Sequence, residues 1–335
     1  LSELLPTGGG QNAVDFVATG TLASGQTVAL KTDGTVEAVA AGGPSAGSSV
    51  VFESAISYDI SATYDSTNGK IVIAYRDGGN SYYGTAVVGT VSGTTISFGT
   101  PVVFNNSAGG QISATYDSTN GKVAIAYRDS LNSNYGTAIV GTVSGTSISF
   151  GTPAVFNNAR SDEMSATYDS TNGKVVINYE DYGNSNYGTS AVGTVSGTTI
   201  SFGTPVVFEG AQARQISSIY DSTNGKVAIA YRDGGNSDYG TAIVGTVSGT
   251  SISFGTAVVF NNSSSDSISA AYDSANGKVI IAYSDFGNSN YGTSIVGTVS
   301  GTSISFGTAV VFESVQSGDM SATYDSANGE VVIAY

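Results

Sequence analysis

The heptapeptide YDSTNGK starts at Tyr64 and recurs unchanged at Tyr116, Tyr168 and Tyr220, while YDSANGK at Tyr272 and YDSANGE at Tyr324 are edited copies. Each tyrosine comes 52 residues after the one before it, without insertion or deletion. A period of that length confines the chain to architectures in which one supersecondary unit is repeated and its neighbours bury each other's faces.

Residues 112–163 show what the unit is. ISATYD alternates Ile112, Ala114 and Tyr116 with Ser113 and Thr115, and KVAIAY alternates Val123, Ile125 and Tyr127 with Ala124 and Ala126. Both have the period of strands. Asn120-Gly121 between them predicts a tight hairpin in which both central residues take positive φ. The loop RDSLNSN leads to a third strand, YGTAIVGTV, and SGT turns that strand back into SISFGTPAVF. Ser147 and Ser149 alternate with Ile148 and Phe150, and Pro153 has no N–H to offer, so the fourth strand reads as the solvated outer edge of a small sheet. Four antiparallel strands at a period of about 50 residues predict the blade of a β-propeller. A parallel β-helix uses much shorter rungs, and a sandwich domain needs roughly twice the length. The small alanine face of the second strand would let neighbouring sheets pack closely.

Complete units run over 62–104, 114–156, 166–208, 218–260 and 270–312, and the chain then ends with SATYDSANGEVVIAY, the first two strands of a further unit. The missing half has a counterpart at the other end. VDFVATGTLASGQTVAL reads as a drifted copy of YGTAIVGTVSGTSISF, and SSVVFES at 48–54 matches TAVVFES at 308–314. The expectation is an all-β, six-bladed propeller of four-stranded repeats, closed by its two chain ends. Residues 1–12 form an arm and 13–335 a single domain. Within that domain, 13–56 is an N-terminal half blade with an added hairpin at Asp33-Gly34, 57–319 holds five complete blades with their connecting loops, and 320–335 is the C-terminal half blade. Closure exchanges two open sheet edges for one internal ladder.

Composition removes most chemistries. The net charge is −15, and five of the six lysines occupy the same slot in successive repeats. No basic patch results, so nucleic acid and anionic membranes are poor partners. Cysteine, histidine and tryptophan are absent. Disulfides, metal sites built on Cys and His, Ser-His-Asp triads and thiol nucleophiles are thereby excluded. No apolar run approaches a membrane span, and LSELLPTGGGQ lacks the regions of a signal peptide. The first residue, Leu1, admits a removed leader, a trimmed start or an unusual initiator. No cofactor is expected.

Six internal copies allow the chain to be compared with itself. The STNGK and VSGT turns barely change, whereas the segment after the fourth strand reads ESAISYD, NNSAGGQ, NNARSDE, EGAQARQ, NNSSSDS and ESVQSGD. In a propeller that segment shares one face with the loop between the second and third strands. That loop presents Arg76, Arg128 and Arg232, with Glu180 and Ser284 in the other complete blades. Divergent loops on one side of a rigid scaffold mark a candidate contact face, and unconstrained drift is the competing explanation. Tyr83, Tyr135, Tyr187, Tyr239 and Tyr291 precede the third strand and could form sugar-stacking pockets, or fill the space between blades. Three arginines in equivalent slots also invite comparison with sialidase-type sites, but such an enzyme needs a tyrosine and carboxylates in non-equivalent roles, and here those residues are repeated ones. Asp/Asn/Gly-rich loops such as DGGNSD at 233–238 lack the spacing of a calcium loop, and turns require the same residues. Asn105, Asn261 and Asn262 open glycosylation sequons by letter.

The leader LLPTGGGQNAVDFVATGTLASGQTVALKTDGTVEAV and the module YDSTNGKVAIAYRDGGNSDYGTAIVGTVSGTSISFGTA together resemble the repeat-bearing proteins of aquatic bacteriophages, especially tail-fibre and other virion appendage proteins. The resemblance implies a non-enzymatic structural role, extracellular or on a virion, with copies of the chain or other appendage proteins as partners. Leu1, Leu4 and Leu5 are the apolar residues with which the glycine-rich arm would dock into a neighbour. The alternative is a carbohydrate- or receptor-binding propeller that engages cell-surface glycans through the variable face.

Overall fold

A computed structural model describes residues 47–335 together with the strands Val28–Leu30 and Val36–Ala38. The arm with Leu1, Leu4 and Leu5, and most of the proposed N-terminal half blade, lie outside the described residues. Residues 1–49 with 93–95 form one compact unit and 50–92 with 96–335 another. In the smaller unit Val28–Leu30 pairs antiparallel with Val36–Ala38, Leu30 opposite Val36. The two runs flank Asp33-Gly34, as the added hairpin requires.

In the larger unit the repeat forms antiparallel sheets in chain order. In the second repeat Gly110–Asp117 pairs with Lys122–Asp129, which pairs with Tyr135–Ser144. The short strand Ser147–Phe150 then pairs with the end of the third strand, Ser144 opposite Ser147. At Gly151-Thr152-Pro153 the outer strand leaves the ladder and only the Gly151 N–H still bonds back, to the Val140 carbonyl at 2.9 Å. Thus Pro153 lies in a break of the outer strand, where its missing N–H costs nothing, rather than within a continuous edge.

Beyond the break the chain is a strand where a loop was expected. Ala154–Asp169 runs unbroken for sixteen residues. Its leading part pairs with the third strand of its own repeat, Thr137 opposite Val155, and its trailing part becomes the innermost strand of the next sheet, Tyr168 opposite Val175. Val206–Asp221 and Val258–Asp273 do the same. These three variable segments are therefore ordered by ladder bonds at both ends, which satisfies backbone groups that a loop would leave to water.

The inner hairpin also departs from expectation. Gly121 has φ 63°, whereas Asn120 is not in the left-handed region. Four residues, Ser118 to Gly121, separate the paired Asp117 and Lys122. The Asp117 carboxylate accepts the N–H groups of Thr119 and Asn120, each at 3.0 Å, and Asn120 Nδ2 at 2.7 Å. An aspartate that caps its own turn makes a longer loop with a single left-handed glycine sufficient.

Sheets pack face to face in sequence. Tyr75, Tyr127, Tyr179, Tyr231 and Tyr283 are the largest fully buried side chains, one per second strand. Each ring meets the phenylalanine of the preceding outer strand, as in Phe104–Tyr127 with centroids 5.3 Å apart and Phe208–Tyr231 at 5.2 Å. The same relation holds at both ends of the larger unit, in Phe52–Tyr75 and Phe312–Tyr335. Buried Ala74, Ala126 and Ala230 supply the thin faces that let these sheets approach. Polar bonds then fix neighbouring sheets in register. Ser61 Oγ accepts the Ala114 N–H at 3.0 Å, with the same link at Ser113–Ala166, Ser165–Ser218, Ser217–Ala270 and Ser269–Ala322. Tyr116 donates to Thr67 and Tyr168 to Thr119, both at 2.6 Å. A cavity of about 570 Å³ is lined by Ile60 of the first repeat, Gln215 of the fourth, Ile268 of the fifth and Met320 of the last. First and last repeats thus face one axial space.

Candidate functional site

Two features of the repeat aim side chains at one end of that axis. The innermost strand shifts register between Asp162 and Ser165 and at each equivalent place. There Asp59, Gln111, Glu163, Gln215, Ser267 and Asp319 all have φ between 48° and 57°. A left-handed residue inside a strand is a bulge that turns its neighbours out of the sheet, and non-glycine residues hold it at a cost. Five such bulges, one in each of the first five repeats, face the axis, and Asp319 takes the same conformation ahead of the last hairpin. They are tied across repeats: Gln111 Oε1 accepts the Glu163 N–H and Glu163 Oε2 the Gln215 N–H, both at 2.8 Å.

The second feature is the loop after the second strand. Asp129 caps a short 3₁₀ turn, Ser130–Asn132, by accepting the Leu131 N–H, and Ser133 and Asn134 leave it in the left-handed region. Asp181, Asp233 and Asp285 cap identical turns. The residue before each cap, Arg76, Arg128, Glu180, Arg232 or Ser284, stands beside the bulge of its own sheet. Arg160 and Arg214 lie on the strands that carry the variable segments. All five arginines of the chain therefore share this face, while Lys70, Lys122, Lys174, Lys226 and Lys278 come after the hairpins at the other.

The expected arginines do not form one cluster. Arg76 Nε lies 3.2 Å from Asp59 Oδ2, and its guanidinium sits over the Tyr58 ring at 4.7 Å and the Tyr82 ring at 5.6 Å. Arg128 reaches the next repeat and pairs with Asp162, which Arg160 also holds, at 2.6 Å. Arg76 and Arg128 converge beside Gly110. Arg232 stands apart, bonded at 2.8 Å to Asp238 in its own loop. That bond holds the Asp238 carboxyl below the usual carboxylate range. Burial pushes the carboxyls of Glu163 and Glu180 upward, against bonds from the Gln215 N–H and from Gln212 Nε2 at 2.6 Å.

Tyr83, Tyr135, Tyr187, Tyr239 and Tyr291 remain half-buried, one at the start of each third strand, and make no ring contact with one another among the described residues. Space between sheets is filled by the Tyr127 set instead. The aromatic rings that do reach the face are Tyr58, Tyr82, Tyr182 and Phe286, all partly exposed, with the Arg160 guanidinium 4.3 Å over Tyr182. In sequence these are departures from the repeat: other copies have glycine, aspartate or arginine where Tyr58 stands, and asparagine or aspartate where Tyr82 stands. Of the three sequons, Asn105 and Asn261 are buried and bonded to Ser107 and Ser265, whereas Asn262 is exposed. Among the described residues no group of three or more acidic side chains is arranged to hold a metal ion.

No family model and no curated protein matches the chain. Solved structures do match in shape. AofleA from Arthrobotrys oligospora superposes with a TM-score of 0.50 at 8% identity over 83% of this chain and 78% of its own, and a triple arginine-to-alanine variant of it gives 0.52 at 10% with the same coverage. A leech intramolecular trans-sialidase complexed with 2,7-anhydro-Neu5Ac gives 0.54 at 12% over 84% of this chain and 65% of that one. A Dyadobacter fermentans protein of unknown function gives 0.54 at 13% over 83% and 89%. The fold is a β-propeller. In blade terms, the arginine and tyrosine groups lie at the axial mouth, on the face of the variable connections, with Tyr58, Arg76 and Tyr82 in blade 1 and Arg128 in blade 2.

Proposed function

We propose that the propeller is a non-enzymatic carbohydrate-binding module whose ligand lies at the axial mouth of the variable face. The observation that carries this reading is the group Tyr58, Asp59, Arg76 and Tyr82. Partly exposed aromatic rings offer flat surfaces on which the C–H face of a sugar ring stacks. Beside them, a guanidinium and a carboxylate held at 3.2 Å offer donors and acceptors to neighbouring hydroxyls without further ordering. A rigid scaffold with few polar groups around an apolar platform is the usual build of a small-molecule site. The leech trans-sialidase of the same fold was solved with a sugar bound.

The alternative, a structural subunit of an extracellular filament or virion appendage, depends on residues 1–12, outside the described residues, and on resemblance. The two readings are compatible if the propeller is the binding end of an appendage, with an extracellular location. Among the described residues no helix is long and apolar enough to cross a membrane. A glycan array with wild-type protein and Tyr82→Ala tests the function. Binding that weakens by roughly tenfold in the variant, as loss of one stacking ring implies, supports the reading. Wild-type protein that binds no glycan even when multimerised, or binding indifferent to both Tyr58→Ala and Tyr82→Ala, overturns it.

A further inference from the structure

Asn68-Gly69, Asn120-Gly121, Asn172-Gly173, Asn224-Gly225, Asn276-Gly277 and Asn328-Gly329 stand at the same place in the inner hairpins. Asparagine before glycine is the context most open to spontaneous deamidation, because a residue without Cβ leaves its backbone nitrogen free to approach the preceding side chain. In that reaction the glycine N–H loses its proton and the nitrogen attacks the asparagine Cγ. The bond from Cγ to the amide nitrogen breaks, and ammonia leaves. Water then opens the five-membered imide to aspartate or isoaspartate, with no oxidant, metal or enzyme needed.

Two restraints oppose this chemistry. The first is the aspartate that closes each turn. Asp117 accepts the Asn120 N–H at 3.0 Å and Asn120 Nδ2 at 2.7 Å, and the same two bonds recur at Asp65, Asp169, Asp221, Asp273 and Asp325. Attack on Cγ requires the asparagine to leave the rotamer so held, and the carboxylate disfavours a negative charge on the nearby nitrogen. The second restraint is a tyrosine of the following repeat. Tyr116 donates to Thr67 Oγ1 at 2.6 Å and accepts the Thr67 N–H at 3.3 Å. Tyr168, Tyr220 and Tyr272 latch Thr119, Thr171 and Thr223 in the same way. Opening one of these four hairpins therefore also breaks a contact between sheets.

The latch fails toward the end of the chain. Ala275 replaces the threonine in the fifth hairpin, and the Tyr324 hydroxyl keeps only its approach to the Asp273 carboxylate. Ala327 replaces it again in the last hairpin, where among the described residues no tyrosine hydroxyl bonds the turn. Tyr64, the corresponding tyrosine of the first repeat, is 59% exposed, whereas Tyr116 is 8% exposed.

We propose that Asn328 is a site of spontaneous deamidation in the folded protein, while clamp and latch together preserve Asn68, Asn120, Asn172 and Asn224, with Asn276 between. The product lacks the Nδ2 donor and sets a second carboxylate against Asp325, so the clamp cannot re-form. In the isoaspartate product the main chain also gains a methylene, in a turn that holds Gly329 at φ 71°. The hairpin joining Ser321–Asp325 to Glu330–Ala334 is thereby opened by an irreversible local change.

Each Asn-Gly pair falls in its own tryptic peptide, so mass spectrometry reads all six from one digest. Folded protein and protein in guanidinium chloride are incubated in parallel at mildly alkaline pH, and conversion of amide to acid is followed with time. The unfolded chain should react at similar rates at all six positions. In the folded protein Asn328 should react first and Asn276 second, with the other four slowed by at least about tenfold relative to the unfolded chain. Tyr168→Phe, which loses a latch and keeps the clamp, should speed Asn120 selectively, and Ala275→Thr should slow Asn276. Asn328 as well protected as Asn120 and Asn172, folded rates equal to unfolded ones at all six positions, or Asn120 unmoved in Tyr168→Phe overturns the proposal.

Discussion

A single glycine series tests how the ring is held together. Beyond each SISF or TISF strand the outer edge of one blade meets the SGT turn of the next, and a Cβ on Gly99, Gly151, Gly203 or Gly255 would overlap the carbonyl oxygen of Thr146, Thr198, Thr250 or Thr302. Real Cβ atoms keep at least 3.0 Å from such an atom, and here both partners are backbone, so neither can swing aside. Gly255→Ala should therefore cost about 3 kcal/mol, the upper part of the range for overpacking. Gly47 meets Thr94 in the same way, within the smaller unit. Gly307 is the exception, with only the Val296 carbonyl at 3.8 Å among the described residues. If the two chain ends complete a sixth blade, as the sequence expects, Gly307→Ala should cost as much as Gly255→Ala. Equilibrium unfolding in guanidinium chloride measures both. A neutral Gly307→Ala beside a costly Gly255→Ala would refute the composite sixth blade, and a neutral Gly255→Ala would refute the steric reasoning itself.

Three further outcomes are expected. Asn178 and Ser190 are fully buried and bonded to each other where blades 1, 2 and 4 have the pairs Ala74–Ala86, Ala126–Ala138 and Ala230–Ala242. Either alanine substitution alone strands a polar group and should cost about 1–3 kcal/mol, while the double variant returns close to wild type in urea unfolding, and additive losses would contradict this. The threonine that Tyr116, Tyr168, Tyr220 and Tyr272 bond is Ala275 at the last junction. Ala275→Thr should therefore stabilise residues 321–334 by about 0.5–1 kcal/mol, read as slower hydrogen exchange there. Glu163 and Glu180 have folded pKa values raised by burial, so their folded state binds protons more tightly than the unfolded one. Their contribution is present below the ordinary glutamate range near 4.5 and is lost as pH rises through the folded values. The thermal midpoint should fall as pH rises above the ordinary glutamate range, and less steeply in Glu163→Gln/Glu180→Gln. A slope unchanged in that variant would exclude these groups as its source.

The repeat was legible because every blade solves the same packing problem with the same letters. Alternation in ISATYD and KVAIAY placed the strands, and turn residues placed the reversals. Two local errors share a cause. Asn-Gly suggested a two-residue turn, but the Asp117 carboxylate closes a longer one, a side-chain interaction that dipeptide preference does not contain. NNARSDE read as a loop because its letters are polar, yet as a strand it faces the axis and the neighbouring ladder rather than a core. The site was only half legible for a related reason. Repetition drew attention to Arg76, Arg128, Arg232 and the Tyr83 series, whereas the exposed aromatics of this face are residues that break the repeat, Tyr58, Tyr82, Tyr182 and Phe286. The bulge that brings Asp59 to Arg76 leaves no letter of its own, since glutamine, glutamate, serine and aspartate all occupy the left-handed position.

The carbohydrate-binding account is tested most directly by a crystal structure of the protein soaked with the tightest ligand from the array. The account predicts a sugar ring against Tyr58 or Tyr82, with hydroxyls in reach of Asp59 and Arg76. Sugar density at the hairpin face near Lys70 and its equivalents, or along the outer strands, with the axial mouth empty, would contradict it.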